Sequence, residues 1–290
     1  MTDNVLGIDV SKWQGAMNWQ KTKSAGAHFA FIRAGYSGSD GGANVTDERF
    51  EENVTGADSV GLPLGYYWYF RPNYDVNAQA DYFCNLIKDK PRKLPLVMDL
   101  EASGNLSPPD VTSRAGDFAL RINENVNELP MLYSRAYWLN DNTVPDDLLK
   151  LLELWIARYT SKGKPWGNLL PWPDSPKVKP RDYDTWVFWQ WSADGNGRGP
   201  EFGASSKSID LNYFNGDLAA FNEYIGQPVP PPPNGHDHPE YEAEIENLNA
   251  IADKHDKDIT AIIGQLQNQE QRLADQERKM ANVGKAANGN

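Results

Sequence analysis

Cysteine is almost absent from this sequence, and basic residues are outnumbered by acidic ones. The single cysteine, Cys84, excludes an internal disulfide and lies in a helical pattern, where we expect a buried small apolar side chain. The 28 basic residues stand against 40 acidic ones, for a formal net charge of −12. This balance argues against a nucleic-acid partner and against adhesion to anionic surfaces. No apolar stretch reaches the ~18 residues of a membrane span, and residues 1–4 show no leader pattern, so we expect neither a membrane segment nor a secretory signal.

Aromatic residues, in contrast, are abundant. The chain has 10 tryptophans and 13 tyrosines among its 290 residues, more than a core requires. Aromatic side chains that line a cleft are a common means of holding sugar rings. The length predicts one large domain of about 200–250 residues together with an extra segment.

Strand and helix patterns alternate five times from residue 5 onward, and then strands follow one another with little helix between them. The alternation predicts parallel strands joined by right-handed crossovers. The predicted strands are 5–11, 29–36, 62–70, the stretch around 94–101, 131–137, 154–159, 186–192 and 209–214; the predicted helices are 19–25, 47–60, 77–88, 108–129, 147–152 and 216–225. Loops are expected at 38–44 and 163–183. The fold class is therefore α/β, a TIM-like barrel with five βα units and a strand-rich remainder.

The stretch LPLVMDLEAS, residues 94–103, carries two carboxylates on which the functional hypothesis depends. A short apolar run bounded by turn-forming residues is typical of a strand buried on both faces. Because side chains alternate along a strand, Asp99 and Glu101 point to the same side, with Cα atoms about 6.5–7 Å apart. Like charges at that range resist joint ionisation, so one carboxyl has a raised pKa. Glycoside hydrolysis requires such a pair, whereas a strand end that simply reaches water is the alternative.

Further charged residues fall at or near the ends of other predicted strands. They are Asp9, Arg33 and Asp210. In parallel barrels the functional groups lie where strands end and the following loops begin. We therefore expect these side chains to share one edge of the barrel with Asp99 and Glu101.

The last quarter of the chain has a different composition. Residues 227–239 include VPPPPNGHDHP, which predicts a semi-rigid proline-rich linker. From 240 to 290, apolar residues recur at alternating spacings of four and three, the pattern of a coiled coil. Ile259 and Ile262 occupy neighbouring core positions of the pattern and favour three strands over two. The expected division is a catalytic barrel at 1–226, a linker at 227–239 and a coiled coil at 240–290.

Histidines offer only one candidate metal site. His236 and His238 in the linker could meet those of two other chains at the axis of a trimer and bind a transition metal; two solvated histidines are the simpler interpretation. In the barrel His28 stands alone, so we expect no metal and no cofactor there.

Eight short motifs occur in order along the barrel region. They are GIDVSKWQG at 7–15, FIRAG at 31–35, GYYWYF at 65–70, MDLE at 98–101, LYS at 132–134, WIA at 155–157, WQWS at 189–192 and IDLN at 209–212. Together they closely resemble the glycoside hydrolase family 25 lysozymes, the muramidases of fungi, bacteria and many phage endolysins. The resemblance covers about residues 5–226 and implies a barrel with five βα units and a strand-rich remainder.

The resemblance also implies roles for the acids. Glu101 would be the general acid that protonates the leaving oxygen between N-acetylmuramic acid and N-acetylglucosamine. Asp99 would stabilise the oxocarbenium-like charge or orient the acetamido group of the substrate as an internal nucleophile, and the sequence does not choose between these routes. Asp9 and Asp210 would tune the pair and bind sugar hydroxyls.

Substrate-binding side chains are implied in the same way. Arg33, Tyr67, Tyr133 and Trp191 would form cleft walls and orient the sugar. For Arg33 a loop ion pair, and for Trp191 an ordinary core aromatic, explains the residue equally well. Trp68 stands where many relatives carry histidine, a departure expected to alter a subsite more than the chemistry.

The function that follows is a peptidoglycan hydrolase used by a phage against the bacterial wall. It would be released from the host cytoplasm by a holin or carried on the virion. The tail favours self-association, with a trimer preferred and other virion proteins as further candidate partners. Two alternatives stay open: an inactive glycan-binding or structural virion protein, and a hydrolase of another N-acetylhexosamine polymer such as chitin.

Overall fold

The computed structural model describes residues 4–38, 42–159 and 179–226. The predicted linker, the predicted coiled coil and both of its neighbouring histidines, His236 and His238, lie outside the described residues, as does most of the predicted loop 163–183. Within the described ranges, no helix combines the length and the hydropathy that crossing a membrane requires.

Eight strands form a closed barrel, and a ninth extends it at one edge. In chain order the strands are β1 (Val5–Val10), β2 (Phe29–Ser37), β3 (Asn44–Thr46), β4 (Leu64–Tyr69), β5 (Leu96–Asp99), β6 (Met131–Arg135), β7 (Leu154–Ala157), β8 (Phe188–Ser192) and β9 (Asp210–Phe214). Neighbours around the ring are β1-β9-β8-β7-β6-β5-β4-β2, and β1 also pairs with β2, which closes it. The short strand β3 pairs with β2 alone. The closed ring confirms the predicted α/β barrel.

Helices cover the first part of the barrel. They are α1 (Trp19–Ser24), α2 (Phe50–Ser59), α3 (Val76–Ile87), α4 (Pro108–Val126), α5 (Ala136–Asn142) and α6 (Leu218–Tyr224). The first five follow β1, the β2–β3 pair, β4, β5 and β6, whereas β7 and β8 are followed by no α-helix within the described residues. Five βα units and a strand-rich remainder are thus confirmed.

The longest helix, α4, shows how the sequence sets such an element. Ser107 caps it by accepting a hydrogen bond from the amide of Asp110, and prolines occupy its first turn, where no intrahelical donor is needed. Asn127 ends it with a left-handed backbone, φ 55°. Residues at helical spacing, among them Val111, Ala115, Phe118 and Ile122, are fully buried against the barrel.

Three local predictions were wrong. The predicted strand 131–137 ends at Arg135, because α5 begins at Ala136 and buries Leu139. The predicted helix 147–152 is a 3-10 turn, Leu149–Leu151. The strand Asn44–Thr46 begins where a loop was expected, since three residues are too few to show a periodic pattern.

Alternation along the strands produces two separate cores. Side chains such as Phe29, Phe31, Trp155 and Phe188 pack inside the barrel, and their neighbours in sequence pack between the barrel and the helices. The inner rings are crowded: a Cβ at Gly7 would lie 2.3 Å from the ring of Phe29. Glycine is therefore required there. The same alternation directs inward-facing polar side chains near the strand ends, such as Asp9 and Asp99, toward the mouth of the barrel.

The last strand runs against its neighbours. β9 is antiparallel to both β1 and β8. Asp210 is therefore the first residue of its strand, although it lies at the edge where the parallel strands end, opposite Asp9. Asp210 was expected near a strand end at the barrel mouth and lies there, although β9 does not share the parallel direction on which that expectation was based.

Candidate active site

A polar cavity opens at the barrel mouth. Its lining residues come from loops and strand ends around the ring: Asp9, Ser11, Trp13, Gln14, Arg33, Tyr67, Tyr69, Asp99, Glu101, Tyr133, Trp155, Tyr159, Gln190 and Asp210. All four predicted acids and three of the five predicted substrate-binding residues, Arg33, Tyr67 and Tyr133, are brought together here. The cavity therefore brings together acidic and substrate-binding side chains from motifs that are separate in the sequence.

Asp9 is buried at the end of β1 and is held by two amides. Gln190 and Asn212 each donate a side-chain N–H to Oδ2 of Asp9, at 2.8 Å. Burial raises the pKa of Asp9 to about 6, against the lowering effect of these hydrogen bonds. Asp9 therefore changes charge near neutral pH, and neither amide partner was singled out from the sequence.

Asp99 and Glu101 are neighbouring carboxyls at the end of β5, and each affects the pKa of the other. β5 ends at Asp99, which is only 5% exposed, and Glu101 follows two residues later on the same side. Burial raises the pKa of both carboxyls, and the charge of Glu101 raises that of Asp99 further. Among the described residues, none donates a hydrogen bond to Oδ1 of Asp99. The surroundings therefore favour the protonated form of each carboxyl, and Oδ1 of Asp99 is a buried acceptor.

Asp210 completes the acidic group. Its Oδ2 accepts a hydrogen bond from the side chain of Gln14 at 2.9 Å. Burial, followed by the charges of Asp9 and Glu101, raises the pKa of Asp210 well above its ordinary value. Four carboxyls at one site, two of them buried and two half-buried, favour protonated forms where isolated carboxyls would be ionised.

Arg135 was missed at the sequence level, because it lay inside a predicted strand. Its Nε is 3.1 Å from Oε2 of Glu101, and its side chain is 49% exposed. The guanidinium opposes the rise in the pKa of Glu101. Its place as the last residue of β6, at the edge where the acids lie, was the available signal.

Arg33 supports the cavity through an ion pair. Its guanidinium lies 2.6 Å from Oδ2 of Asp47, which also accepts a hydrogen bond from the amide of Lys12 at 3.1 Å. The loop ion pair expected as one explanation of Arg33 is therefore present, and the side chain also lines the cavity. The two interpretations are compatible.

The aromatic wall is built around Trp155. Tyr133 and Tyr67 meet its ring edge-on, with centroids at 4.6 Å and 6.2 Å. The hydroxyl of Tyr133 donates to Oε1 of Gln190 at 2.7 Å. This chain of contacts fixes both tyrosines between the inner core and the carboxyls.

Trp68 and Trp191 lie outside the cavity, so their assignment to the substrate cleft is corrected. Trp68 is fully buried, packs against Phe83 of α3 and donates to Oε1 of Gln79 at 3.3 Å. Trp191 stacks on Tyr213 in the outer core, with ring centroids at 5.4 Å. Each is adjacent in sequence to an inward-facing residue, and alternation therefore turns it toward the helices.

Several cavity residues were not assigned a role from the sequence. Trp13 and Gln14 follow Asp9 in the first motif, and Trp13 is 70% exposed at the rim. Tyr69 and Gln190 lie at strand spacing from inward residues, which is the signal that could have revealed them. Within residues 4–38, 42–159 and 179–226, no group of His, Cys, Asp and Glu side chains is arranged to hold a metal ion.

A closed barrel with paired, buried carboxyls at the carboxyl ends of its strands has the architecture of a glycoside hydrolase. The chain belongs to the glycosyl hydrolases family 25, whose model matches residues 8–200. The chain is therefore a glycoside hydrolase.

Individual proteins are similar over the same region. Lysozyme M1 of Streptomyces globisporus is 34% identical over 230 residues, covering 75% of this chain and 70% of that protein. N,O-diacetylmuramidase of Arthroderma benhamiae is 25% identical over 238 residues, covering 77% and 85% of the two chains. The crystal structure of the bacterial lysozyme from Streptomyces coelicolor has a TM-score of 0.59 at 31% identity, covering 78% of this chain and 98% of that one.

Proposed function

We propose that this protein is a muramidase that cleaves the β-1,4 bond between N-acetylmuramic acid and N-acetylglucosamine in bacterial peptidoglycan. The observation that carries the proposal is the pair of neighbouring carboxyls Asp99 and Glu101 at the end of β5, in one cavity with Asp9 and Asp210. The similarity to Lysozyme M1 and to N,O-diacetylmuramidase points to the same substrate.

In this proposal Glu101 is the general acid. It is the more accessible member of the pair, with a side chain 23% exposed, and burial raises its pKa, which favours the protonated form that a general acid needs. It protonates the glycosidic oxygen as the bond to the muramic acid ring breaks. Asp9 and Asp210 hold the local charge and bind sugar hydroxyls, while Arg33, Tyr67 and Tyr133 form the cleft wall.

Asp99 acts on the other side of the scissile bond. Asp99 lines the cavity, and in this proposal its carboxylate accepts the N–H of the acetamido group. A carboxylate in that position orients the acetamido oxygen to attack the anomeric carbon, which is the substrate-assisted route.

The biological setting belongs to the same proposal. A phage uses the enzyme to degrade the host wall, either after holin release from the cytoplasm or from the virion. The four-three pattern of residues 240–290 supports a trimeric stalk joined to the barrel by the proline-rich segment 227–239. Other virion proteins are candidate partners of that stalk.

Mass analysis of the products from purified peptidoglycan tests the proposal. A muramidase leaves muramic acid at the new reducing end. Reducing-end glucosamine, released peptides or no products at all would each refute it, the last also indicating a binding protein. Glu101→Gln should release almost no product. Glu124→Gln, which changes an exposed acid on α4, serves as the matched control and should cleave like the parent.

A further inference from the structure

Three arginines follow neighbouring strands on the side of the barrel where Asp99 and Glu101 lie. Arg135 ends β6, Arg71 lies two residues beyond β4, and Arg158 directly follows β7. β5, which carries Asp99, lies between β4 and β6, and β7 is the next strand beyond β6. We call Arg71, Arg135 and Arg158 the arginine rim. The rim lies on the side of the cavity opposite Asp9 and Asp210, which come from β1 and β9.

Two members of the rim are held by aromatic rings. Arg71 lies over Tyr69 at 5.5 Å from the centroid, and Arg158 over Tyr137 at 5.3 Å. Among the described residues, no carboxylate forms an ion pair with either of them. The stacking fixes each guanidinium while leaving its N–H donors for another acceptor.

Arg135 has a carboxylate partner whose proposed task conflicts with the pairing. A general acid must hold a proton, and a guanidinium 3.1 Å away favours the ionised form of Glu101. The conflict is resolved if Arg135 forms an ion pair with another anion, in place of Glu101, when substrate binds. The rest of the protein does not offer a general attraction for anions, because its formal net charge is −12.

We infer that Arg135, with Arg71 and Arg158, binds a carboxylate carried by the glycan, and that this contact draws Arg135 away from Glu101. The inference rests on the proposed function and deepens it by naming the feature of the substrate that is read. Muramic acid has a lactyl ether whose carboxyl is free or bears a peptide with carboxylates of its own. A polymer of N-acetylglucosamine alone has neither, so it would leave Arg135 on Glu101.

The inference predicts that the enzyme prefers glycans that carry a carboxylate over uncharged glycans with the same sugar rings. An anionic glycan gains a charge-assisted, bidentate partner and releases the general acid at the same time. Arg135 is in this sense a positioning residue that acts through Glu101. Its effect is specific to substrates that carry a carboxylate.

The test compares glycan strands before and after their carboxylates are converted to amides with carbodiimide. For the parent protein, kcat/KM on the native strands should exceed that on the amidated strands by at least about tenfold, the value of a charge-assisted hydrogen bond. In Arg135→Gln the ratio should fall several-fold, with a residual preference from Arg71 and Arg158. Arg135→Lys keeps the charge and should retain part of the preference.

Two strand preparations identify the source of the carboxylate. Strands stripped of peptide retain only the lactyl carboxylate, and intact strands retain the peptide carboxylates. A preference in the first preparation assigns the lactyl group, and a preference confined to the second assigns the peptide; either supports the inference. Arg121→Gln, which removes a guanidinium paired with Asp81 on the outer helices, should keep the parent ratio.

The outcomes separate the two proposals. If the parent releases reducing-end muramic acid but shows equal rates on native and amidated strands, or if Arg135→Gln keeps the parent ratio, the arginine inference is wrong and the muramidase proposal stands. If the parent releases no reducing-end muramic acid from any strand, both are wrong.

Discussion

Asp9 and Asp210 lie directly opposite each other across the antiparallel pair β1–β9, at the mouth of the barrel. Like charges opposed on neighbouring strands are destabilising. Side-chain amides offset part of this repulsion. Asp9 accepts hydrogen bonds from Gln190 and Asn212, and Asp210 accepts one from Gln14. The arrangement is therefore costly for the fold at high pH and is retained at the site where the carboxyls would be used.

The cost is measurable as stability against pH. Because the folded pKa of Asp210 is raised, its contribution to stability is full below about pH 4 and is lost as the pH rises through the raised value. Asp210→Asn should therefore increase the free energy of unfolding at pH 7.5 by about 1–3 kcal/mol and bring little change at pH 4. Thermal unfolding at the two pH values checks this.

The exposed Asp89 provides the comparison, since Asp89→Asn should change stability little at either pH. An equal gain for Asp210→Asn at both pH values would contradict the pH argument.

Replacing the general acid should separate activity from folding. Glu101→Gln keeps the shape of the side chain but cannot supply a proton, and proton transfer contributes about 10²–10⁴-fold to rate. Asp99→Asn should be nearly as damaging, because a stabilising charge is lost. Reducing-end assays measure the loss, and circular dichroism checks the fold. Parent-like wall clearing by Glu101→Gln would show that the acid is misassigned.

The rate should follow a bell-shaped pH profile with an acidic to near-neutral optimum. Asp9 has a pKa of about 6, and burial raises the pKa of Glu101, so the acidic limb reports a group that must ionise and the basic limb the loss of the catalytic proton. Initial rates on soluble wall fragments at constant ionic strength measure the profile. A flat response from mildly acidic to alkaline pH is incompatible with the carboxyl pair.

Adjacent aromatic residues on β4 should respond oppositely to mutation. Tyr67→Phe removes a hydroxyl that faces the carboxyls and should lower kcat/KM about tenfold. Trp68→Phe should leave kcat/KM within about twofold but lower stability by about 1–3 kcal/mol, since Trp68 packs under α3. Kinetics and thermal unfolding of both variants check the pair. A kinetic defect in Trp68→Phe at unchanged stability would restore its assignment to the cleft.

The tail should determine assembly without determining the chemistry. We predict that the full chain forms trimers and that a protein ending at residue 226 is a monomer that still cleaves soluble fragments, because every proposed catalytic residue precedes the linker. The shortened protein should clear whole walls less well, since several barrels on one stalk raise the local concentration on a repetitive polymer. Light scattering measures the mass. A full chain that stays monomeric at tens of micromolar would exclude self-association through residues 240–290.

The sequence was sufficient for the features that depend on short-range order. Alternation and strand ends predicted an α/β barrel with five βα units and placed Asp9, Arg33, Asp99 and Glu101 toward one edge. A period of two is a local property of an extended chain, so residues two apart share a face whatever the rest of the protein does. The motif order added the family, which the comparison with known proteins established.

Only the tertiary structure decided which contacts complete the site. Which face of each strand is the interior depends on how the ring closes, so Tyr67 and Trp68 could not be separated by composition alone. The antiparallel direction of β9, the two amides on Asp9 and the approach of Arg135 to Glu101 join residues that are distant in sequence. The strength of these contacts depends on burial and on the relative orientation of side chains in the folded protein. Neither can be predicted from a local sequence pattern.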